Sequence, residues 1–343
     1  MSVQILNPLS DPDYDNLLRA HGDYSFFHSS SWARVIRQAY NYQPRYFAIF
    51  QKAKLKALLA LMEIRTAFTG RKAVSLPFTD NCDLLSSEHF DRTTLMDEIL
   101  IYGRQAGWRT LEIRGESAFQ ANDLPYSACY VHDLDLPVEP DLLFAQFRSN
   151  TRRNIRKAAK NGVTAKISRS LGALRTYYRL HCTTRKHHGI PPQPFYLFKA
   201  IYDHIISSGK GFIVLASYNN QPIAGAVYFH FGQKAIYKYG ASSRKYWHLR
   251  ANNQVMWTAI NWYIQNGFKS FSFGRTDLNH TGLLQFKRGW APQERIIRYF
   301  KYDLMRQCFV KERAKRPIFY SFFRRLPEPI LILTGRLLYR HMG

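Results

Sequence analysis

Residues 271–290 read F-S-F-G-R-T-D-L-N-H-T-G-L-L-Q-F-K-R-G-W, and the parsing of this stretch decides the rest. Phe271 and Phe273 alternate as on one face of a short strand. Gly274 breaks that strand, and a polar loop follows with Arg275, Asp277, Asn279 and His280. Gly282 then opens a short amphipathic segment carrying Phe286, Lys287 and Trp290. Charged, Gly-containing loops at the C-terminal end of a strand are where α/β and mixed sheets place chemistry. Lys287 is expected at an exposed position, where substitution costs little stability.

Working outward, the run-in to this stretch has an earlier counterpart. N-G-F-K-S-F-S-F-G at 266–274 parallels A-G-W-R-T-L-E-I-R at 106–114, each a helix ending in Gly-aromatic-basic and running into a strand. Upstream, Phe47–Ile64 and Phe212–Phe229 both read as strand–turn–strand. The repeat predicts two similar mixed α/β domains, 1–137 and 138–304, followed by a basic amphipathic tail, 305–343.

A chain of 343 residues, 46% of them hydrophobic, is long enough for two cored domains and argues against wholesale disorder. Its 49 Lys+Arg against 24 Asp+Glu leave a formal charge of +25. That excess points to a polyanionic partner: nucleic acid, an anionic membrane surface or a phosphate-bearing substrate. Cys82, Cys129, Cys182 and Cys308 are far apart and form no C-x-x-C pair, as reduced cytosolic thiols would. No signal peptide is evident, and no run approaches the ~20 apolar residues of a spanning helix. The expectation is a cytoplasmic protein, peripheral at most to the inner face of a membrane.

Four constellations carry possible chemistry. Asn150–Lys160 puts Arg152, Arg153, Arg156, Lys157 and Lys160 within three helical turns, either a phosphate-binding ridge for tRNA or a pyrophosphate, or a solvated basic face. In H-C-T-T-R-K-H-H-G-I-P-P-Q-P at 181–194, Thr183 and Arg185 offer a hydroxyl and a forked guanidinium to phosphate oxygens. His181, His187 and His188 make a weak metal reading, since no carboxylate or Cys stands at ligand spacing, and no metal is expected. Ala235–Asn253 runs through a basic aromatic loop to a helix N-terminus, which would set Arg250, Asn252 and Asn253 near a bound anion. The R-x-x-G-x-G cradle of acetyl-CoA pyrophosphate is missing there. In the tail, Phe319, Tyr320, Phe322 and Phe323 either insert into an anionic membrane or pack back on the body, with Pro327 and Pro329 favouring the second.

Taken together, these segments resemble the FemAB-like branch of the GNAT acyltransferase superfamily. The matching residues are S-S-S-W-A-R-V at 29–35, S-L-P-F at 75–78, R-x-x-I-R-K-A-x-K-x-G-V at 152–163, T-T-R-K-H-H-G-I-P-P at 183–192, Y-K-Y-G-A-S at 237–242, and F-G-R-T-D with G-L-L-Q-F-K-R-G-W within 273–290. The resemblance implies an α/β (α+β mixed) fold of two tandem GNAT-like domains, each a mixed, largely antiparallel sheet flanked by helices. It also implies acyl or aminoacyl transfer to an amine, with aminoacyl-tRNA or acyl-CoA as co-substrate. Lys287 of the F-K element would stabilise the tetrahedral oxyanion, with Phe286 beside it. Thr183 and Arg185 would hold the phosphate part of the acceptor, and Tyr239, Trp32, Arg275, Asp277 and Asn252 would complete the substrate site, Arg275 and Asp277 as a pair bracing the loop. Two departures are T-D-N-C-D after Pro77-Phe78, where close relatives carry a Gly-rich turn, and Ala291 where Gly is usual. The coiled-coil arm of the peptidoglycan peptidyltransferases is not visible.

The function expected is therefore transfer to an amine of a cell-envelope precursor or a polysaccharide-related, phosphate-bearing or lipid-linked acceptor, with tRNA as a further partner. Two other readings stay open: a CoA-dependent N-acetyltransferase, and a non-catalytic binder of RNA or anionic lipid.

Overall fold

A computed structural model of the protein describes residues 2–66, 70–87, 90–118, 123–311 and 318–342. Residues 312–317 of the tail, and the side chain of Phe319, lie outside what is described. The chain forms two compact units: Met1–Tyr130 with Ile296–Ala314 and Arg340–Gly343, and Val131–Arg295 with Lys315–Tyr339.

The first unit contains β1 (Val3–Leu6), α1 (Tyr14–His21), α2 (Ser30–Tyr40), β2 (Gln43–Gln51), β3 (Lys54–Thr66), β4 (Gly70–Val74), β5 (Leu85–Ser86), α3 (Arg92–Gln105) and β6 (Thr110–Arg114). Its sheet runs β1-β2-β3-β4-β6, antiparallel except where β6 lies parallel to β4, Ala73 opposite Leu111. The β2–β3 hairpin turns on Lys52 and Ala53, both left-handed at φ +47° and +59°, the geometry of a two-residue hairpin loop. Phe47, Ile49, Leu59 and Leu61 from the hairpin bury against Leu95 and Ile99 of α3 and against Trp108.

The chain crosses into the second unit within β7 (Ser127–Asp135) and continues through α4 (Pro140–Gln146), α5 (Ser149–Lys160), β8 (Thr164–Ser168), α6 (Leu171–His188), α7 (Phe195–Ile201), β9 (Gly211–Tyr218), β10 (Gln221–Phe231), β11 (Lys234–Ser242), α8 (Ala251–Gln265), β12 (Ser270–Asp277) and α9 (Thr281–Arg288). It returns to the first unit within β13 (Gln293–Asp303), followed there by β14 (Cys308–Phe309), whereas α10 (Ile318–Arg325) and α11 (Glu328–Leu338) belong again to the second unit. The second sheet runs β12-β11-β10-β9-β8, antiparallel except where β12 lies parallel to β11, Ala235 opposite Phe271. Its hairpin turns on Asn219 and Asn220, again left-handed, at φ +47° and +60°.

α8 covers one face of this sheet with Val255, Met256, Ala259, Ile260 and Tyr263 against Phe212, Ala224, Ala226 and Phe271. α6 covers the other. The approach there is close: a Cβ on Gly225 of β10 would stand 2.8 Å from Leu215 and 3.3 Å from the Tyr177 ring. α10 and α11 pack on α6, and a Cβ at Gly335 would stand 2.1 Å from the Pro192 carbonyl. The tail thus docks on the body through these two helices, while Tyr320 and Phe322, two of the aromatics read as either inserting or packing back, are exposed.

One sequence expectation is corrected in β12. Gly274 does not end the strand, which runs on to Asp277 through a left-handed residue 274, φ +66°. Glycine takes that conformation without a Cβ penalty, so the chain bends instead of breaking.

Candidate functional site

The Lys287 turn is built by β12 and α9. His280 caps α9, its Nδ1 accepting from the Leu283 amide at 3.2 Å. Leu284 and Lys287, three residues apart, then face inward. The Lys287 Nζ donates to the carbonyls of Gly274 at 2.9 Å and Arg275 at 3.0 Å, so two successive carbonyls converge on one ammonium at the bend. Lys287 is 1% exposed, which corrects the expectation of an exposed loop lysine. Phe286 lies edge-on to Trp290, ring centroids 5.9 Å apart, and the buried Trp290 packs on Phe147 at 5.0 Å.

Next along α9, Arg288 grips Glu294 with Nε and Nη2, both at 2.7 Å, while His132 of β7 contacts the same carboxylate through Nε2 at 2.7 Å. The bidentate Arg288 contact, with His132 after it, holds Glu294 below the usual carboxylate range. Burial, the largest cause, pulls the His132 imidazole down despite the Glu294 bond, and the charges of Lys287 and Arg288 lower it further. A neutral imidazole against an ionised carboxylate follows. Neither His132 nor Glu294 was singled out from sequence, where each is one polar residue in an alternating strand.

A pocket of about 570 Å³ opens over the C-terminal half of α6, lined by Thr183, Thr184, Lys186, His187, His188, Ser242, Arg244, Trp247 and Arg324. The end of β11 forms its floor. There the Ser242 amide donates to Thr184 Oγ1 at 3.1 Å, Thr184 Oγ1 donates to the Ser242 carbonyl at 3.3 Å, and Ser242 Oγ accepts from Trp247 Nε1 and Asn252 Nδ2, both at 3.1 Å. Arg244 reaches His187 Nε2 and stacks over the Trp247 ring, 5.0 Å from its centroid. His187 and His188 are both pulled below the usual imidazole range, first by desolvation; the charges of Arg244 and Arg324 then act on His187, and those of His187, Arg185, His280 and Arg324 on His188. No carboxylate is among these lining residues. Three fixed cations, two titratable imidazoles and three hydroxyls make a lining suited to a multiply charged anion.

Residues 145–288 match a family model described as an acetyltransferase (GNAT) domain. This segment is a GNAT domain. Over 75 residues the chain is 33% identical to lipid II:glycine glycyltransferase of Staphylococcus saprophyticus subsp. saprophyticus, an alignment covering 20% of this chain and 18% of that relative. Among solved structures it is similar to FemX, with a TM-score of 0.67 at 14% identity over 88% of this chain and 97% of that one. It is similar also to a tandem GNAT protein from the clavulanic acid biosynthesis pathway, with a TM-score of 0.56 at 9% identity over 88% and 98% of the two chains. The fold is the mixed α/β fold of tandem GNAT proteins.

Within the GNAT domain the expected site residues fall in several places. Thr183 lines the pocket, its Oγ1 bonded back to the Arg179 carbonyl at 3.2 Å. Arg185 is not among the lining residues. α6 continues unbroken to His188, so residues two apart point in different directions, and the two do not form one phosphate clamp as expected. Arg185 instead donates to the Pro191 carbonyl at 3.4 Å and to the Tyr339 hydroxyl at 2.9 Å, tying down the tail. Tyr239 lies half-buried in a ring cluster with Phe198 at 5.3 Å and His181 at 6.3 Å. Asn252 is at the pocket floor through Ser242. Asn253 is buried.

Arg275 and Asp277 are exposed at the end of β12, and the brace of the bend is Lys287. On α5, Arg153, Arg156 and Lys157 are exposed and Arg152 half-buried, with Arg156 over the Phe144 ring at 5.4 Å. Trp32 belongs to the first unit, 0% exposed in its core and edge-on to Phe27 at 5.3 Å. Arg244 and Trp247 were legible as part of a basic aromatic loop. Arg324, supplied from the tail, was not.

Proposed function

We propose that the protein is an acyl- or aminoacyltransferase that moves its group onto an amine of a phosphate-bearing acceptor, a cell-envelope precursor or a polysaccharide-related molecule. The observation that carries this reading is the pocket over α6, cationic and without a lining carboxylate, set in a GNAT domain. In such a transfer the acceptor amine attacks the ester or thioester carbonyl, a C–N bond forms, and the tetrahedral intermediate carries an oxyanion. The intermediate collapses as the ester or thioester bond breaks, and the amine proton leaves with a base. A fixed ammonium is suited to that oxyanion, and Lys287, aimed by two backbone carbonyls, is the residue proposed for it. Arg244, Lys186 and Arg324 would take the acceptor's phosphate, and the exposed basic residues of α5 would track the backbone of an aminoacyl-tRNA donor. The 75-residue likeness to a glycyltransferase named for lipid II supports an aminoacyl donor and a lipid-linked acceptor.

The test is transfer of radiolabel from charged tRNA to muramyl-peptide and lipid-linked amines, with wild type beside Arg244→Ala. A KM for the phosphate-bearing acceptor raised by about tenfold at unchanged kcat is expected, in line with loss of one charge-assisted contact. Equal KM values for the two proteins would remove the pocket from the mechanism. The N-acetyltransferase reading draws on the family description itself, and calorimetry with acetyl-CoA decides it: micromolar binding would favour it over tRNA.

A further inference from the structure

We propose that α10 and α11 form a docking surface for an anionic lipid bilayer. α11 reads E-P-I-L-I-L-T-G-R-L-L and is apolar on both sides. Leu331 and Gly335, followed by Tyr339, are buried and form the side turned to the body. The Tyr339 hydroxyl donates to the Pro191 carbonyl at 3.3 Å. At 100° per residue, Ile330, Leu333 and Leu337 fall on the opposite side, where they are 49%, 53% and 58% exposed. A surface helix ordinarily turns polar residues to water there.

α10 extends the pattern: Tyr320 and Phe322 are 41% and 58% exposed, and Arg324 and Arg325 follow them, both exposed. None of these helices is long and apolar enough to cross a membrane, so the geometry is that of an element lying in the interface plane. Charge selects the occupant. Residues 305–343 contain nine Lys+Arg against two Glu, in a chain of net charge +25. Basic side chains beside exposed Leu, Ile and Phe match anionic headgroups over acyl chains.

The inference stands on the tail alone and does not need the transfer reading to hold. If both hold, Arg324, on α10 and on the pocket wall, brings the anion site close to the lipid surface.

The experiment is flotation of the full-length protein with vesicles of phosphatidylcholine alone or with 30% phosphatidylglycerol, at rising salt. The protein should float with the anionic vesicles at least tenfold more strongly than with the neutral ones, weakening as salt rises. Ile330→Ser/Leu333→Ser/Leu337→Ser should lower that binding at least tenfold at an unchanged melting temperature, since all three are exposed. Unchanged binding of the triple variant would place the attraction on the basic surface in general and overturn the docking face. So would failure of wild type to bind either vesicle, above all if the same substitutions shifted its oligomeric state in light scattering, which would assign the face to a protein partner. Either result leaves the transfer assay free to succeed or fail by itself.

Discussion

The two units solve the same local problem twice and then part. In each, a helix ends on a left-handed glycine, Gly107 at φ +71° and Gly267 at φ +74°. The next residue closes the turn: Trp108 donates to the Gly103 carbonyl at 2.8 Å and Phe268 to the Tyr263 carbonyl at 3.0 Å. This is the paired hydrogen bonding of a glycine C-cap, and it aims both strands parallel to a neighbour, β6 to β4 and β12 to β11.

The difference lies in how each strand end holds a basic side chain, Arg114 half-buried and Lys287 buried. In the first unit the Arg114 guanidinium pairs with Glu112 at 3.0 Å, and burial of Glu112 is outweighed by Arg114, Lys301 and Lys72, which keep its carboxyl below the usual range. In the second, Lys287 is held by backbone carbonyls. A carboxylate sets charge against charge, whereas backbone carbonyls fix the direction of the amino group. The repeat therefore teaches how one strand design can end in two ways: the first copy in an ion pair, the second in a lysine fixed by two backbone carbonyls.

The strongest way to break that contrast is to remove the charge. Lys287→Ala should lower kcat by about 10²–10³, the scale of one lost oxyanion-stabilising donor. It should also destabilise by about 1–3 kcal/mol, because the buried Gly274 carbonyl and the part-buried Arg275 carbonyl lose their donor. Lys287→Met, which keeps the stem, separates the two effects when kcat and melting temperature are read together. If both variants keep full activity, Lys287 is a brace only.

Acid tests both units through their buried imidazoles. Burial pulls His28 of the first unit down to about 4, and His181 of the second to about 3. Each folded-state value lies below the ordinary 6.5, so the unfolded chain binds the proton first. Stability is then intact above pH 6.5, falls as pH drops through that value, and stops falling below about 4 for His28 and about 3 for His181. Each slope is at most about 1.4 kcal/mol per pH unit. Denaturant melts from pH 7.5 to 4.5 should show this, and His28→Gln and His181→Gln should each flatten the acid limb.

Glu112→Gln sharpens the comparison further. It should destabilise the first unit by about 1–3 kcal/mol, weakening a largely buried pair, while leaving kcat per folded molecule unchanged; a lowered kcat would mean that the first copy also serves the chemistry. The smallest effect is symmetric. Gly107→Ala and Gly267→Ala should each cost about 1–2 kcal/mol, the penalty of a Cβ in the left-handed region, and chemical denaturation should find the two alike.

Much of the fold was legible because the repeat is written in residues with strong local preferences. Gly-aromatic-basic after an apolar helix marks both caps, and alternating Phe271 and Phe273 mark a strand. The bend at Gly274 was misread because a glycine in a strand reads equally as an end and as a left-handed kink, and only pairing distinguishes them. The burial of Lys287 escaped for a related reason. An amphipathic segment written T-G-L-L-Q-F-K-R-G-W shows its apolar face, but not that a lysine on that face finds two carbonyls waiting. Thr183 and Arg185 were joined on the expectation of a helix end, whereas α6 runs five residues past Thr183 and turns them apart. The pocket was half-legible: its loop residues Arg244 and Trp247 stood in a recognised basic aromatic stretch, while Arg324 comes from about 80 residues later in the chain.

The Arg185–Tyr339 contact carries a consequence for the order of folding. The partners are 154 residues apart, so during synthesis at roughly 5–20 residues per second α6 exists for several seconds before its cover does. The side of α6 on which α11 packs stays open for that interval. Docking of the tail thus comes late in the assembly of the second unit, after the sheet and α6 it covers have been made.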